Sequence, residues 1–422
     1  MIVDTSELAR SCSCLKEHKI DVKEIIIESG ATEKLEIMMN EGLLKEYFHP
    51  VIICDTNTYE ATIDIMERFY DRCSVIRLEP EGLHADNHKV EIVSENLEET
   101  ADLLLAVGAG TIHDITRYIA HVRHIPFVSV PTAASVDGFV STVAAMTWNG
   151  MKKTIPAVAP ICVIADTDIF ANAPAYLNAS GVSDLLGKYI CLADWKIAHL
   201  LTGEYICERV YQMEQDAINE VERCLRGIPE GDHKACESLM YALLVSGLAM
   251  QMIGNSRPAS CAEHHISHLW EMEVVNEHVA ALHGEKVGVG TLLCINEYKR
   301  IAQSIREGRC KVQPYTGLET KLLQETFGQK GLYDAVVSEN TPDPMQEVEA
   351  KKLQRLLFDI ADIIEEIPQE HEMKKLLAKA GAVNSLAELH LSEEIIPLTL
   401  QLSPYVRNRL SFMRISKMLE TV

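Results

Sequence analysis

At 422 residues the chain exceeds the roughly 250 to 300 residues that one hydrophobic core serves, so two domains sharing a cleft are expected. An apolar content of 47% fits two ordinary soluble cores, and a formal net charge of -23 at pH 7 sets a background that repels polyanions, which argues against a nucleic-acid partner. No basic run interleaved with aromatics occurs, and the acidic stretches at 347–349 and 365–372 read as solvated helix faces.

The opening MIVDTSELARSC has no basic segment followed by an apolar one, so nothing marks it for secretion and a cytoplasmic location is expected. Twelve scattered cysteines then read as reduced thiols rather than a disulfide framework. Cys12-Ser13-Cys14 has no second Cys or His pair nearby at structural-zinc spacing and reads as two ordinary thiols.

From residue 22 onward, short β-branched runs alternate with helical stretches: 22–28, 51–54, 74–78, 103–107, 127–130 and 161–165. This pattern predicts βαβ units and a mostly parallel sheet covered on both faces, a nucleotide-binding candidate. Asp55 closes the second run, where a carboxylate suits an adenosine ribose or, equally, caps the helix that follows. The run 103–107 enters Gly108-Ala109-Gly110-Thr111, with a helical pattern from Ile112, so backbone N–H groups at a helix start could face a phosphate. Gly-x-Gly without a third glycine is a weak signal alone. The next run ends in Thr132-Ala133-Ala134-Ser135-Val136-Asp137-Gly138, again at the C-terminal edge where open α/β sheets bind ligands. Thr132 and Ser135 serve equally as helix caps at this level of reading.

Beyond Asp166 the pattern turns helical, which predicts an α/β domain over 1–172 and an all-α domain over 173–422. The uncharged stretch 238–256 approaches the roughly 20 residues that span a bilayer, but Ser246, Gly247, Gln251 and Asn255 interrupt it, so a core helix is expected and no membrane partner. Asp184 lies on the first helical segment. His264 and His268 are four apart, hence on one helix face, while His265 points elsewhere; His283 precedes small residues that permit close helix packing. One Asp and two His suit Zn, Ni or Fe(II) with open positions for substrate. Sixteen histidines also make chance pairs common, so a structural reading stays open on spacing alone.

Taken in order, Gly108 to Asp114, Pro131 to Gly138, Gly181 to Asp184, Ser256 to Ser260 with Glu263-His264, and Leu282 to Glu285 make a pattern that resembles the glycerol-1-phosphate dehydrogenases. These belong to the superfamily of iron-containing alcohol dehydrogenases, glycerol dehydrogenases and dehydroquinate synthases. The resemblance, over roughly residues 20 to 300, implies a dinucleotide-binding domain, a helical domain, and metal and nicotinamide in a cleft. It implies metal ligation by Asp184, His264 and His283, and substrate contacts from Asp137, His268 and the metal-holding Asp184. Cofactor contacts are implied at Gly108, Ala109, Gly110, Thr111, Ile112, Thr132, Ala133, Ala134, Ser135 and Ser141, with Asp55 near the ribose, where it favours NADH over NADPH by repelling a 2′-phosphate. Where iron-dependent relatives have a fourth ligand stands Lys188, so three protein ligands and Ni or Zn rather than Fe are expected. The implied substrate is the small phosphorylated triose dihydroxyacetone phosphate, with NAD(H) or NADP(H), in a homodimer or larger homo-oligomer. His268 is the expected proton relay, Asp137 a hydrogen-bond acceptor for a substrate hydroxyl, and Arg257 or Lys188 the phosphate cation. Arg257 could instead form a helix-start salt bridge, and Lys188 a surface ion pair. The rival readings are a glycerol dehydrogenase, a dehydroquinate-synthase-like lyase, and a helical interaction domain with structural histidines.

Overall fold

Strands buried on both faces need near-continuous apolar runs, and every residue of the 103–108, 127–131 and 162–166 segments is buried. The structure, a computed structural model, describes residues 2–3, 5–10 and 12–421. Its strands are β1 (Ile2–Val3), β2 (Glu24–Glu28), β3 (Pro50–Asp55), β4 (Ser74–Leu78), β5 (Leu103–Gly108), β6 (Phe127–Pro131), the hairpin β7 (Val143–Trp148) and β8 (Met151–Pro156), and β9 (Cys162–Asp166). Seven of them form one sheet in the order β1-β2-β9-β6-β5-β3-β4, parallel throughout except for β1 at the edge. Period-two alternation divides β5 between two cores: Leu103, Leu105 and Val107 face one, Leu104 and Ala106 the other.

All six predicted runs are strands of this sheet. The β7–β8 hairpin, absent from the expectation, turns at Asn149 and Gly150, both at positive φ (50° and 78°), the Asn-Gly signature of a two-residue hairpin.

The chain forms two compact units. The first comprises Met1–Leu185 and Gln212–Asn255, the second Leu186–Tyr211 and Ser256–Val422. A single cut after residue 172 does not coincide with them, because helix His233–Ile253 packs on β2 and on the 138–140 turn and so belongs with the sheet. That helix is long and apolar enough to cross a membrane, yet 78% of its most apolar window is buried inside the protein. Gly247 explains the fit: a Cβ there would stand 2.4 Å from Val140 Cγ2 and 2.8 Å from the Asp137 carbonyl oxygen.

The second unit is helical, with Lys188–Thr202, Ala262–Glu271 and His283–Arg306 at its centre. It also contains one small antiparallel pair, β10 (Cys310–Val312) with β11 (Leu419–Thr421), an addition to the all-α expectation; three-residue strands carry too little pattern to be read. Asp194, fully buried, ties the unit together by accepting from Tyr298 Oη at 2.9 Å, Phe412 N at 2.7 Å and Ala262 N at 3.3 Å.

Candidate active site

In the first unit, strand order reverses between β3 and β5: the chain steps outward from β3 to β4, then crosses back to β5 on the other side of β3. Such a switch point opens a crevice at the carboxyl ends of the strands. Ile53 pairs with Ala106 and Gly108 with Pro131, so the chain leaves three neighbouring strands at Asp55, Gly108 and Pro131 along one edge.

Helix Gly110–Arg123 starts there. Its cap, Ala109, has extended backbone and supplies no side-chain hydrogen bond, so the first N–H groups of the helix are not capped by a side chain. The glycines are required sterically: a Cβ on Gly108 would meet Ile112 at 2.6 Å and one on Gly110 would meet Val136 at 2.9 Å. Ile112 itself packs in the core, so only its backbone is offered to a ligand. The buried Ser135 hydroxyl has no hydrogen-bond partner, a position that a bound ligand would satisfy. Uncapped N–H groups, a cradle closed to Cβ atoms and an orphaned hydroxyl fit a dinucleotide's phosphates.

Other expected cofactor residues divide between roles. Asp55 is a helix cap: its Oδ1 accepts from Thr58 N at 3.0 Å while Thr58 Oγ1 accepts from Asp55 N. Thr132 N donates to the Gly108 carbonyl at 3.1 Å, joining the two loops. Ala133 and Ala134 are fully buried, and Ala134 N donates to Asn178 Oδ1 at 2.8 Å. Ser141 Oγ accepts from Val143 N at 3.1 Å, a turn role at the start of β7. Thr111 stands in the first turn of the helix.

Two residues that the sequence reading passed over position these loops. Arg117, fully buried, pairs with Asp114 at 2.9 Å and donates to the carbonyls of Phe139 and Val143, which holds the 138–143 segment. Asn178 bridges Ala134 N and the Phe170 carbonyl. Helix Ala175–Leu186 lies so close that a Gly181 Cβ would stand 1.9 Å from the Ala134 carbonyl oxygen. This seats Asp184, buried, where its Oδ2 accepts from Asp137 N at 3.0 Å. Asp137 Oδ2 in turn lies 3.0 Å from Ser246 Oγ, and that hydroxyl lies 3.0 Å from Oε1 of the buried Glu214.

In the second unit, helices Ala262–Glu271 and His283–Arg306 pack closely because Gly290 approaches the Glu263 carbonyl, 2.8 Å from where a Cβ would lie. The contact brings three histidines together: ring centroids are 5.3 Å apart for His264 and His283, 5.5 Å for His268 and His283, and 6.2 Å for His264 and His268. Two carboxylates orient them: Glu263, part of the motif that carries the resemblance, and Glu271, which no sequence motif marked. His264 Nδ1 donates to Glu263 Oε1 at 2.7 Å, and His283 Nδ1 to Glu271 Oε1 at 2.9 Å, so each ring directs Nε2 away from its carboxylate, the arrangement typical of metal-binding histidines. Glu271 also lies 3.3 Å from His268 Nδ1 and 3.4 Å from Lys286 Nζ. Its place three residues after His268 was the available signal. Burial holds His268 well below the usual imidazole range, opposed by Glu271. His265 is buried, with neither ring nitrogen hydrogen-bonded.

Both expected phosphate cations are buried. Arg257 is 3% exposed, its Nε 2.9 Å from Glu204 Oε1, and it donates to Cys261 Sγ and to the Asp194 and Leu410 carbonyls. This is the salt bridge that stood as the alternative to phosphate binding. Lys188 is fully buried at the first position of its helix, not a surface ion-pair residue. Burial pushes the pKa of another cation, Arg407, down to about 10, opposed by the carboxylates of Glu339 and Glu271, and its charge helps disfavour protonation of His268. Arg414 fixes its loop by donating to the Arg407 carbonyl at 3.3 Å and pairing with Asp343 at 3.0 Å.

A family model described as iron-containing alcohol dehydrogenase matches residues 26–174. The chain is 32% identical over 402 residues to the glycerol-1-phosphate dehydrogenase [NAD(P)+] of Geobacillus thermodenitrificans, covering 93% of this chain and 92% of that one. It is 33% identical over 295 residues to the enzyme of that name from Pyrococcus furiosus, covering 69% and 76%. Among solved structures, a probable glycerol dehydrogenase from Sinorhizobium meliloti superposes with a TM-score of 0.61 at 18% identity, covering 94% of this chain and 95% of that one. A sulfoacetaldehyde reductase from Bifidobacterium kashiwanohense in complex with NAD+ superposes with a TM-score of 0.59 at 18% identity, covering 94% of each. These structural likenesses establish the fold.

Proposed function

The chain belongs to the NAD(P)-dependent glycerol-1-phosphate dehydrogenases, and on that premise we propose that it reduces dihydroxyacetone phosphate to sn-glycerol 1-phosphate, reversibly, using NAD(P)H and one divalent metal. The observation that carries the metal assignment is the pair of histidines on packed helices, each with Nδ1 held by a carboxylate. We assign His264, His283 and Asp184 as the protein ligands. Three protein ligands, with Lys188 where iron-dependent relatives place a fourth, favour Ni or Zn over Fe.

The bound ion supplies Lewis acidity to the ketone carbonyl, and the nicotinamide supplies hydride. The remaining work falls to side chains. The loops at 108–112 and 132–135 hold the dinucleotide. Asp137 accepts a hydrogen bond from a substrate hydroxyl. His268, oriented by Glu271 and kept neutral by burial, exchanges the substrate-oxygen proton with solvent. Arg407, whose charge acts on His268 and Glu271, is the candidate for the phosphate, with Lys188 the alternative.

The decisive assay is NADH oxidation with dihydroxyacetone phosphate by metal-stripped protein after adding back Ni, Zn or Fe. Turnover restored by Ni or Zn is expected. Faster turnover of unphosphorylated dihydroxyacetone would move the assignment to a glycerol dehydrogenase, and metal-independent turnover would remove the ligand assignment.

A further inference from the structure

Far along the chain from the residues assigned above, the N-terminal segment gathers three soft ligands. The Sγ atoms of Cys12 and Cys14 and a ring nitrogen of His18 all lie within 4.8 Å of one another. Zn–S bonds of about 2.3 Å and Zn–N bonds of about 2.0 Å meeting at a tetrahedral angle place ligand atoms roughly 3.5–3.8 Å apart, which the 4.8 Å limit on these three atoms accommodates. Cys14 Sγ is 3.2 Å from His18 Nε2, slightly inside that spacing. His18 is buried, and its Nδ1 donates to the Met252 carbonyl at 2.7 Å, which fixes the tautomer that leaves a lone pair on Nε2, the nitrogen facing the thiol. The turn that folds the histidine back carries Leu15 at φ 63° and 95% exposed, a left-handed conformation that costs a branched residue free energy.

We propose that Cys12, Cys14 and His18 bind a zinc ion, separate from the dehydrogenase metal, which fastens the N-terminal segment to the end of helix His233–Ile253. Both thiols lose their protons on binding, and the fourth position is filled by water or a further thiolate. The segment is already directed there: besides the bond from His18, Asp21 N donates to Gln251 Oε1 at 2.8 Å. Thiolate softness separates this site chemically from an Asp-His-His site, which has no sulfur and accepts Ni or Fe.

Cobalt reports the difference. Full-length protein stripped of metal and reconstituted with Co(II) should show a thiolate-to-cobalt charge-transfer absorption in the near ultraviolet, at one equivalent per chain. The Cys12→Ser/Cys14→Ser variant should lose that band and one equivalent of tightly held zinc, while Ni-supported NADH oxidation persists. In the wild-type protein, trypsin should cut the N-terminal segment at least tenfold faster after chelation. Absence of the band from folded wild-type protein, zinc content unchanged in the double variant, or a mass two hydrogens lighter that localises to a Cys12–Cys14 disulfide would each overturn the proposal.

Discussion

Glu271 holds His283 through one oxygen and His268 through the other, so its removal frees both rings to rotate. Glu271→Gln should weaken divalent-metal affinity 10- to 100-fold in a chelator competition, with the circular dichroism spectrum unchanged; wild-type affinity in the variant would show that the carboxylate does not orient a ligand. The phosphate assignment separates two arginines. Arg407→Ala should raise KM for dihydroxyacetone phosphate by ten- to a hundredfold, the worth of roughly 1.5–3 kcal/mol for a hydrogen bond to a charged group, and leave KM for dihydroxyacetone within about twofold. Arg257→Ala should instead lower Tm, because Glu204 loses its buried partner, and affect both ketones alike. Equal effects of the Arg407 change on both substrates would remove it from the phosphate site. At this scale the sequence disclosed histidines by spacing but not which carboxylate serves which ring, since that depends on the packing of 262–271 against 283–306. It pointed to Arg257 because a charge beside a motif reads as functional until its partners, Glu204 and two carbonyls far away in sequence, are known. The approach of His18 to Cys14 lies outside any spacing rule, because it depends on the left-handed turn at Leu15.

Elements were more legible than residues. Strands buried on both faces carry their signal in continuous apolar runs, and the glycine turn after β5 and the small-residue loop after β6 follow from where those runs stop. The β7–β8 hairpin escaped despite its Asn-Gly turn because the lysines of β8 and the polar end of β7 blur the apolar pattern. What no pattern discloses is the distance between elements. Gly181 sets the approach of helix Ala175–Leu186 to the 132–135 loop, with a backbone oxygen where a side chain would go. Gly181→Ala should therefore destabilise the protein by about 3 kcal/mol or more, at the upper end of overpacking costs, and raise the KM for NADH by displacing that loop. A thermal melt and cofactor titration matching wild type would mean the helix shifts without consequence.

Across the whole molecule, the carboxyl of Asp194 joins helices distant in sequence, and burial raises its pKa from 3.8 to about 6. A carboxyl with a raised folded-state pKa binds its proton more tightly in the native protein. Its contribution to stability is thus greatest below pH 4, is lost as pH rises to about 6, and is constant above. Asp194→Asn mimics the neutral form, so its stability relative to wild type should rise by on the order of 2–3 kcal/mol between pH 4 and pH 7. Parallel pH profiles of wild type and variant would show that Asp194 does not titrate in this window. Interleaving of the two units has a further consequence, felt during biosynthesis. The sheet is encoded by residue 166, but its unit is finished only at residue 255, after the chain has supplied 186–211 to the other. From residue 185 to residue 255 is 70 residues, which at roughly 5–20 residues per second is about 4–14 s of translation. Through that interval the nascent sheet leaves the ribosome with the apolar surface meant for helix His233–Ile253 uncovered, a natural client for a chaperone, and neither unit can be released from the other by cutting the gene once.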